Sequence, residues 1–192
     1  MIVLVAGLLL FLGVHSVRIV ADSWRSAQIA RLGEGPWKGI YSLVSLAGFV
    51  LIIWGYALAR QAPIDVWQPP AWIYPVANVL TALAFVLLTA AYVPGNRFKE
   101  KLGHPFVAGV KLWALAHLLS NGRLADVLLF GGFLVWSVFA FSSLRRRDRA
   151  AGKSYPAGTL GRDAVTVVIG LVIGVVFARY LHAWLIGVQP LG

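Results

Sequence analysis

The chain has 192 residues, 59% of them hydrophobic and only 12% charged, with a formal net charge of +10 and a mean hydropathy of +0.79. A soluble domain carries roughly twice that charged fraction, so composition excludes a water-soluble globule. The absence of cysteine excludes disulfides, thiolate metal sites, iron–sulfur clusters and a catalytic thiol.

A bilayer core of ~30 Å needs ~20 apolar residues per helix. Six apolar runs approach that length, at residues 1–19, 38–59, 75–93, 106–120, 124–142 and 164–187. They leave no room for a soluble domain. The predicted fold is therefore all-α: a polytopic transmembrane bundle of about six helices, a single membrane domain over residues 1–192. Met1-Ile2-Val3-Leu4 lacks a positive n-region, and no small-residue cleavage site precedes Arg18, so the first run reads as a retained helix. Residues 22–33 predict a short amphipathic surface helix, capped by Asp22 or Ser23 and ended by Gly33. The stretch from Trp67 to Tyr74 is an aromatic belt whose prolines stop one helix and start the next. Tyr92-Val93-Pro94-Gly95-Asn96-Arg97 predicts a tight turn ending the third run. Gly170, Gly174 and Ala178 make a small-xxx-small stripe on the last run, suited to close packing within the chain or between copies in a homo-oligomer.

Basic residues alternate between the loops. Arg18, Arg25, Arg31 and Lys38, then Arg97, Lys99 and Lys101, then Arg145, Arg146, Arg147, Arg149, Lys153 and Arg162 fall on one side. The other side has Arg60 and Arg123. The positive-inside rule puts the first set in the cytoplasm and both termini on the non-cytoplasmic side. Topology thus accounts for the positive charge, and nucleic acid is not an expected partner. The Arg145–Arg149 cluster suits anionic lipid headgroups, with a protein-docking role as the alternative.

Function has to come from polar groups at the ends of the runs or inside them. Four histidines occur, each in or beside an apolar run. Ionisable groups at that depth face the protein interior, a cavity or one another. Histidine also ligates haem without a cysteine partner. His15 lies one turn from the end of the first run with Arg18 at i+3, sharing its face. His104 sits in Gly103-His104-Pro105, where Pro105 suits a first helical turn and His104 suits its cap. His117 lies well inside the fourth run, and His182 near the end of the last is an interface anchor. Lys111 needs a partner, a lowered pKa or a path to the surface. Asn96 and Arg97 are expected near His104. Arg18 and Arg97 suit two carboxylates, such as haem propionates, or lipid phosphates. Straight helices favour pairing His15 with His104, and tilt favours His15 with His117. All three remain candidate iron ligands.

Several of these stretches resemble the NnrU family of bacterial membrane proteins. The matching pieces are Gly13-Val14-His15-Ser16-Val17-Arg18, Arg31-Leu32-Gly33-Glu34, Trp37-Lys38-Gly39-Ile40-Tyr41-Ser42 and Pro94-Gly95-Asn96. Gly103-His104-Pro105 and Lys111-Leu112-Trp113-Ala114-Leu115-Ala116-His117 complete the set. The resemblance runs from residue 1 to about 145. It implies a multi-pass protein of the bacterial inner membrane connected with nitrite and nitric oxide reduction in denitrification. The family also distantly resembles plant 15-cis-zeta-carotene isomerase, a haem b enzyme with histidine ligands. That likeness implies haem b at His15 with His117 or His104, with no carry-over of the isomerase activity.

Three functions follow as expectations. The first is a haem b protein, redox or sensory, supporting nitrogen-oxide respiration. The second is a non-enzymatic factor that assembles or stabilises a reductase, docked through residues 145–153. The third is a small-molecule enzyme or transporter in the bilayer. Gly103-His104-Pro105 is loosely similar to the Arg-His-Pro of isoprenylcysteine methyltransferase-like proteins, with Gly103 in place of the arginine.

Overall fold

The computed structural model describes residues 1–190. Helices are numbered α1 (Ile2–Val20), α2 (Asp22–Leu32), α3 (Glu34–Ala59), α4 (Ile73–Ala90), α5 (Arg97–Leu102), α6 (Pro105–Ser120), α7 (Leu124–Ala150) and α8 (Leu160–Ile186). Of these, α1, α3, α4, α7 and α8 are long and apolar enough to cross a membrane, and no strand occurs among the described residues. The fold is an all-α polytopic membrane bundle, as expected. The run at 106–120 departs from the expectation of six equivalent spans: α6 has 16 residues, about 24 Å at 1.5 Å per residue, short of the ~30 Å core. The chain divides into two compact units. One comprises residues 1–70 and 117–140, the other 71–116 and 141 onward.

The first unit is built on α1 and α3. Its helices run antiparallel with their backbones almost touching, because glycine occupies the crossing points. A Cβ at Gly7 would meet Ile52 N at 2.6 Å, one at Gly48 would meet Phe11 N at 2.7 Å, and one at Gly55 would meet Leu4 N at 2.2 Å. Lipid tails are as apolar as leucine, so membrane helices associate by packing rather than by a hydrophobic driving force, and small residues allow the close approach. Leu4, Leu8, Ile52, Ala59 and Ala125 form the buried cluster beside this seam. At its end, residues 64–67 pair with the α6–α7 connection. Val66 N and Trp67 N both donate to Gly122 O, and Leu124 N donates to Ile64 O. The surface helix α2 exists as expected, ending at Gly33 with φ +86, but Ala21 is its N-cap and neither Asp22 nor Ser23 caps it. Asp22 instead sits between Arg18 and Arg25, at 3.8 and 3.6 Å.

In the second unit α4 and α8 pack through the predicted glycine stripe. A Cβ at Gly170 would meet Val86 Cα at 2.7 Å, and one at Gly174 would meet the Phe85 ring at 3.2 Å. The stripe therefore serves packing within the chain. A π turn at Phe177–Leu181 interrupts α8, and beyond it His182 Nδ1 pairs with Val188 O at 2.8 Å. Residues 145–149, expected in a loop, belong to the last turns of α7. The loss of apolar pattern marks where α7 leaves the hydrocarbon, not where it stops. Arginine is a good helix former, and cations at a C-terminus suit the helix dipole.

Candidate functional site

The polar groups fall into one cluster in the first unit and two in the second. On α1, His15 sits in an aromatic cage. Its ring lies 4.2 Å from Phe11, 5.3 Å from Tyr41 and 6.1 Å, edge-on, from Trp136 of α7 (centroid distances). Nδ1 is 2.7 Å from Phe11 O. A carbonyl can only accept, so the proton of the neutral ring is on Nδ1 and Nε2 carries the lone pair. Nε2 has no hydrogen-bond partner among the described residues. The indole Nε1–H of Trp136 is also covered from solvent without an acceptor. Beside them an apolar groove of about 360 Å³ runs between α1 and α7, from Leu12, Ser16 and Ile19 to Gly132, Trp136 and Phe139.

His117 belongs to the same unit, with its ring 4.7 Å from Phe130. Its carbonyl accepts from Asn121 Nδ2 at 2.8 Å. Along α7, Phe130 precedes Trp136 by six residues, about 9 Å, so His117 and His15 meet α7 at different levels. Arg18 stays largely exposed beside Asp22.

Asn96, Arg97, His104 and Lys111 all lie in the second unit. Asn96 is buried and caps α5: its Oδ1 accepts from Lys99 N at 2.8 Å, while Nδ2 donates to Ala90 O and Val93 O at 2.8 and 2.5 Å. It closes the predicted turn, in which Gly95 has φ +71. Arg97 is held by Asp163 at the start of α8. Its Nε donates to Oδ2 at 2.6 Å and its backbone N to Oδ1 at 2.7 Å.

His104 does not cap α6 with its ring, although its carbonyl accepts from Ala108 N. Nε2 pairs with Asp148 Oδ2 at 2.8 Å, and the Tyr155 hydroxyl donates to the same oxygen at 2.8 Å. Gly103 makes room for this clasp, since a Cβ there would meet the Tyr155 ring at 2.8 Å and its φ is +73. Burial, then the bond to Asp148, raises the Tyr155 phenol above its ordinary value. Seven residues deeper on α6, Lys111 Nζ lies 4.6 Å from the Phe141 ring centroid, a cation–π contact.

His15 and His117 thus share the first unit at different levels of α7, and Asn96, Arg97, His104 and Lys111 share the second, each with its own partners. No group of three or more His, Asp or Glu side chains that could hold a metal ion occurs among the described residues. The chain matches the family model described as NnrU protein over residues 3–190. It belongs to the NnrU family. The family therefore covers the last helix as well, beyond the motifs that carried the resemblance. A comparison with curated proteins and with solved structures finds no match, so the distant likeness to 15-cis-zeta-carotene isomerase gains no support.

Sequence reasoning missed the partners. Asp148, Tyr155 and Asp163 complete the clasps of the second unit. In the first unit the buried Asp126 accepts from Tyr56 Oη at 2.5 Å, and Trp136 faces His15. Asp126 had a usable signal: it is the sole acidic residue inside the apolar run 124–142, and a carboxyl there must find a donor.

Proposed function

We propose that this NnrU protein is a membrane-embedded haem b protein supporting nitrite and nitric oxide reduction, with His15 as an iron ligand. The observation that carries the reading is His15 itself. Iron-ligating histidines donate their second ring nitrogen to a carbonyl or carboxylate, which fixes the tautomer and raises the basicity of the ligating nitrogen. His15 has that arrangement toward Phe11 O, with Nε2 left open.

His117, in the same unit, is the second candidate ligand, and Arg18 one turn from His15 offers a cation to a propionate. His104 is the weaker candidate because Asp148 already engages its Nε2. Arg97 and Asn96 are engaged by Asp163 and by backbone groups, so Arg97 holds α5 against α8 and Asn96 holds it to the end of α4. Bound haem would supply one-electron or ligand-sensing chemistry. The chain's part is to present an imidazole nitrogen, surround it with Phe11, Tyr41 and Trp136, and keep water out. We also propose a bacterial inner-membrane location with the basic ends of the helices in the cytoplasm and both termini outside. The exposed arginines at the end of α7 would then lie against anionic headgroups.

The test is the absorption spectrum of detergent-purified protein expressed with excess haem. A Soret band is expected. It should be lost or shifted in His15→Ala and retained in His104→Ala. Absence of the band in the wild type would overturn the reading.

A further inference from the structure

We propose that Lys111 of α6 and Arg145 of α7 form a site in the second unit for the phosphate of one anionic phospholipid, bound to the protein rather than passing with the bulk bilayer. Two contacts set the register of α6 against the end of α7. His104 Nε2 meets Asp148 Oδ2 at 2.8 Å, and Lys111 Nζ lies 4.6 Å from the Phe141 ring centroid. The partners are seven residues apart on each helix and in opposite order, so the helices run antiparallel here. Arg145 falls between the two contacts, one turn beyond Phe141 on the same face of α7. Side chains lean toward the N-terminus of their helix. The N-terminus of α6 is Pro105 and that of α7 is Leu124. Lys111 therefore leans toward His104, and Arg145 leans back toward Phe141. The two cationic heads converge on one level.

No carboxylate answers them. Asp148 is taken by His104 and Tyr155. Lys111 and Arg145 are both half-buried, and neither has a hydrogen-bond or ion-pair partner among the described residues. Ionisable groups at the edge of the hydrocarbon pair with an opposite charge, and two like charges on one level repel unless an anion joins them. Depth sets the anion. Phe141 closes the apolar part of α7, and Arg145-Arg146-Arg147 begin four residues on, about 6 Å along the axis. The polar layer on each side of the ~30 Å core is itself roughly 5–8 Å thick. The site thus spans the border at which a phospholipid carries its phosphate. An acidic protein segment would have to cross that layer to reach Lys111. A headgroup with its own ammonium would bring a third cation, so the class is a phosphodiester without one, as in phosphatidylglycerol. The site goes beyond general headgroup contact by the α7 arginines because it requires Lys111. It rests on the membrane placement of that end of α7 and not on haem.

The test is native mass spectrometry of the full chain, delipidated in detergent and titrated with phosphatidylglycerol, phosphatidylcholine or inorganic phosphate. One phosphatidylglycerol per chain is expected to bind, about tenfold or more tighter than phosphatidylcholine, and inorganic phosphate should not displace it. Lys111→Gln and Arg145→Gln should each weaken that binding about tenfold, the worth of one charge-assisted hydrogen bond, while Lys111→Arg retains it. Arg146→Gln removes the same charge from an exposed neighbour on another face of α7 and should weaken binding less than about twofold. Equal losses in Arg145→Gln and Arg146→Gln would mean attraction to net charge alone and overturn the site, as would equal binding of the two lipids. Displacement by inorganic phosphate would give the pair to a free anion and overturn the lipid. If Lys111→Gln does not fold, Arg145→Gln against Arg146→Gln decides. The result should be the same in preparations that have and lack a Soret band, which separates its failure from failure of the haem reading.

Discussion

Gly55→Ala adds one methyl group at the tightest point of the α1–α3 seam. The new Cβ would lie 2.2 Å from Leu4 N, 2.5 Å from Leu4 Cα and 2.7 Å from Val3 C. All three are backbone atoms, so no side-chain rotation relieves the clash. Restoring an ordinary contact of about 3.4 Å means parting the helices locally by about 1.2 Å, the difference between the two distances. Overpacking a well-fitted interface by such amounts costs about 1–3 kcal/mol. Replacing a helical glycine with alanine returns about 0.5–1 kcal/mol through chain entropy. The net expectation is a loss of up to about 2.5 kcal/mol, and more for Gly55→Leu. Gly39 on the same helix is the control, because a Cβ there meets nothing within 4 Å. Gly39→Ala should leave stability unchanged or raise it by up to ~1 kcal/mol. Reversible unfolding in mixed micelles, followed by circular dichroism, gives both differences. If Gly55→Ala is as stable as Gly39→Ala, the backbone contact between α1 and α3 is not what holds the first unit together.

The other expectations concern the polar clusters. Asp163→Asn keeps a hydrogen-bond acceptor and removes the charge opposite Arg97. It should cost no more than ~1 kcal/mol, since the pair is partly exposed. Its local effect should be faster amide exchange across residues 97–102, and unchanged exchange there would refute the clasp. Gly103→Ala should loosen the Tyr155 loop through both a positive φ and a clash with the ring, so limited proteolysis should cut within residues 151–159 sooner than in wild type. The phenol of Tyr155 is raised in the folded protein, so its contribution to stability is complete below the ordinary tyrosine value near pH ~10. That contribution is lost as pH climbs through the higher folded value. The tyrosinate absorbance difference between wild type and Tyr155→Phe should therefore appear above pH ~10, and its appearance at or below that value would contradict the buried contact.

The spans were legible because a bilayer imposes a length and a composition that apolar runs display directly. Ends were less so. At α7 the arginines read as a loop because apolarity, not helicity, was the signal, and a solvated helix extension carries no apolar pattern. At α2 the cap residues misled because Asp22 has charged neighbours, Arg18 and Arg25, that compete for its side chain. The glycine stripe on α8 is legible, whereas the equivalent glycines of the α1–α3 seam carry no such pattern. They occur seven residues apart on α3, where Gly48 faces Phe11 and Gly55 faces Leu4, while Gly7 of α1 faces Ile52, so no spacing of four marks them.

The candidate site was half legible, for a reason that lies in the acids. The sequence has seven Asp and Glu residues against seventeen Lys and Arg, so cations and histidines dominate its polar pattern. Each acid proves to be engaged. Asp22 holds Arg18 and Arg25, Glu34 holds Lys38, Asp65 holds Arg123 and Glu100 accepts from Gly158 N. Asp126 takes Tyr56, Asp148 takes His104 and Tyr155, and Asp163 takes Arg97. Scarce carboxylates in a cationic membrane protein are placed where they fasten something, and what they fasten is withdrawn from the list of free ligands. That removes Arg97 and the Nε2 of His104, two of the groups the sequence offers to haem. It leaves the imidazole Nε2 of His15 and the indole N–H of Trp136, one acceptor and one donor, on neighbouring rings in an apolar setting. Neither stands near an acid that would have revealed it in the sequence, so only the fold brings the pair into view.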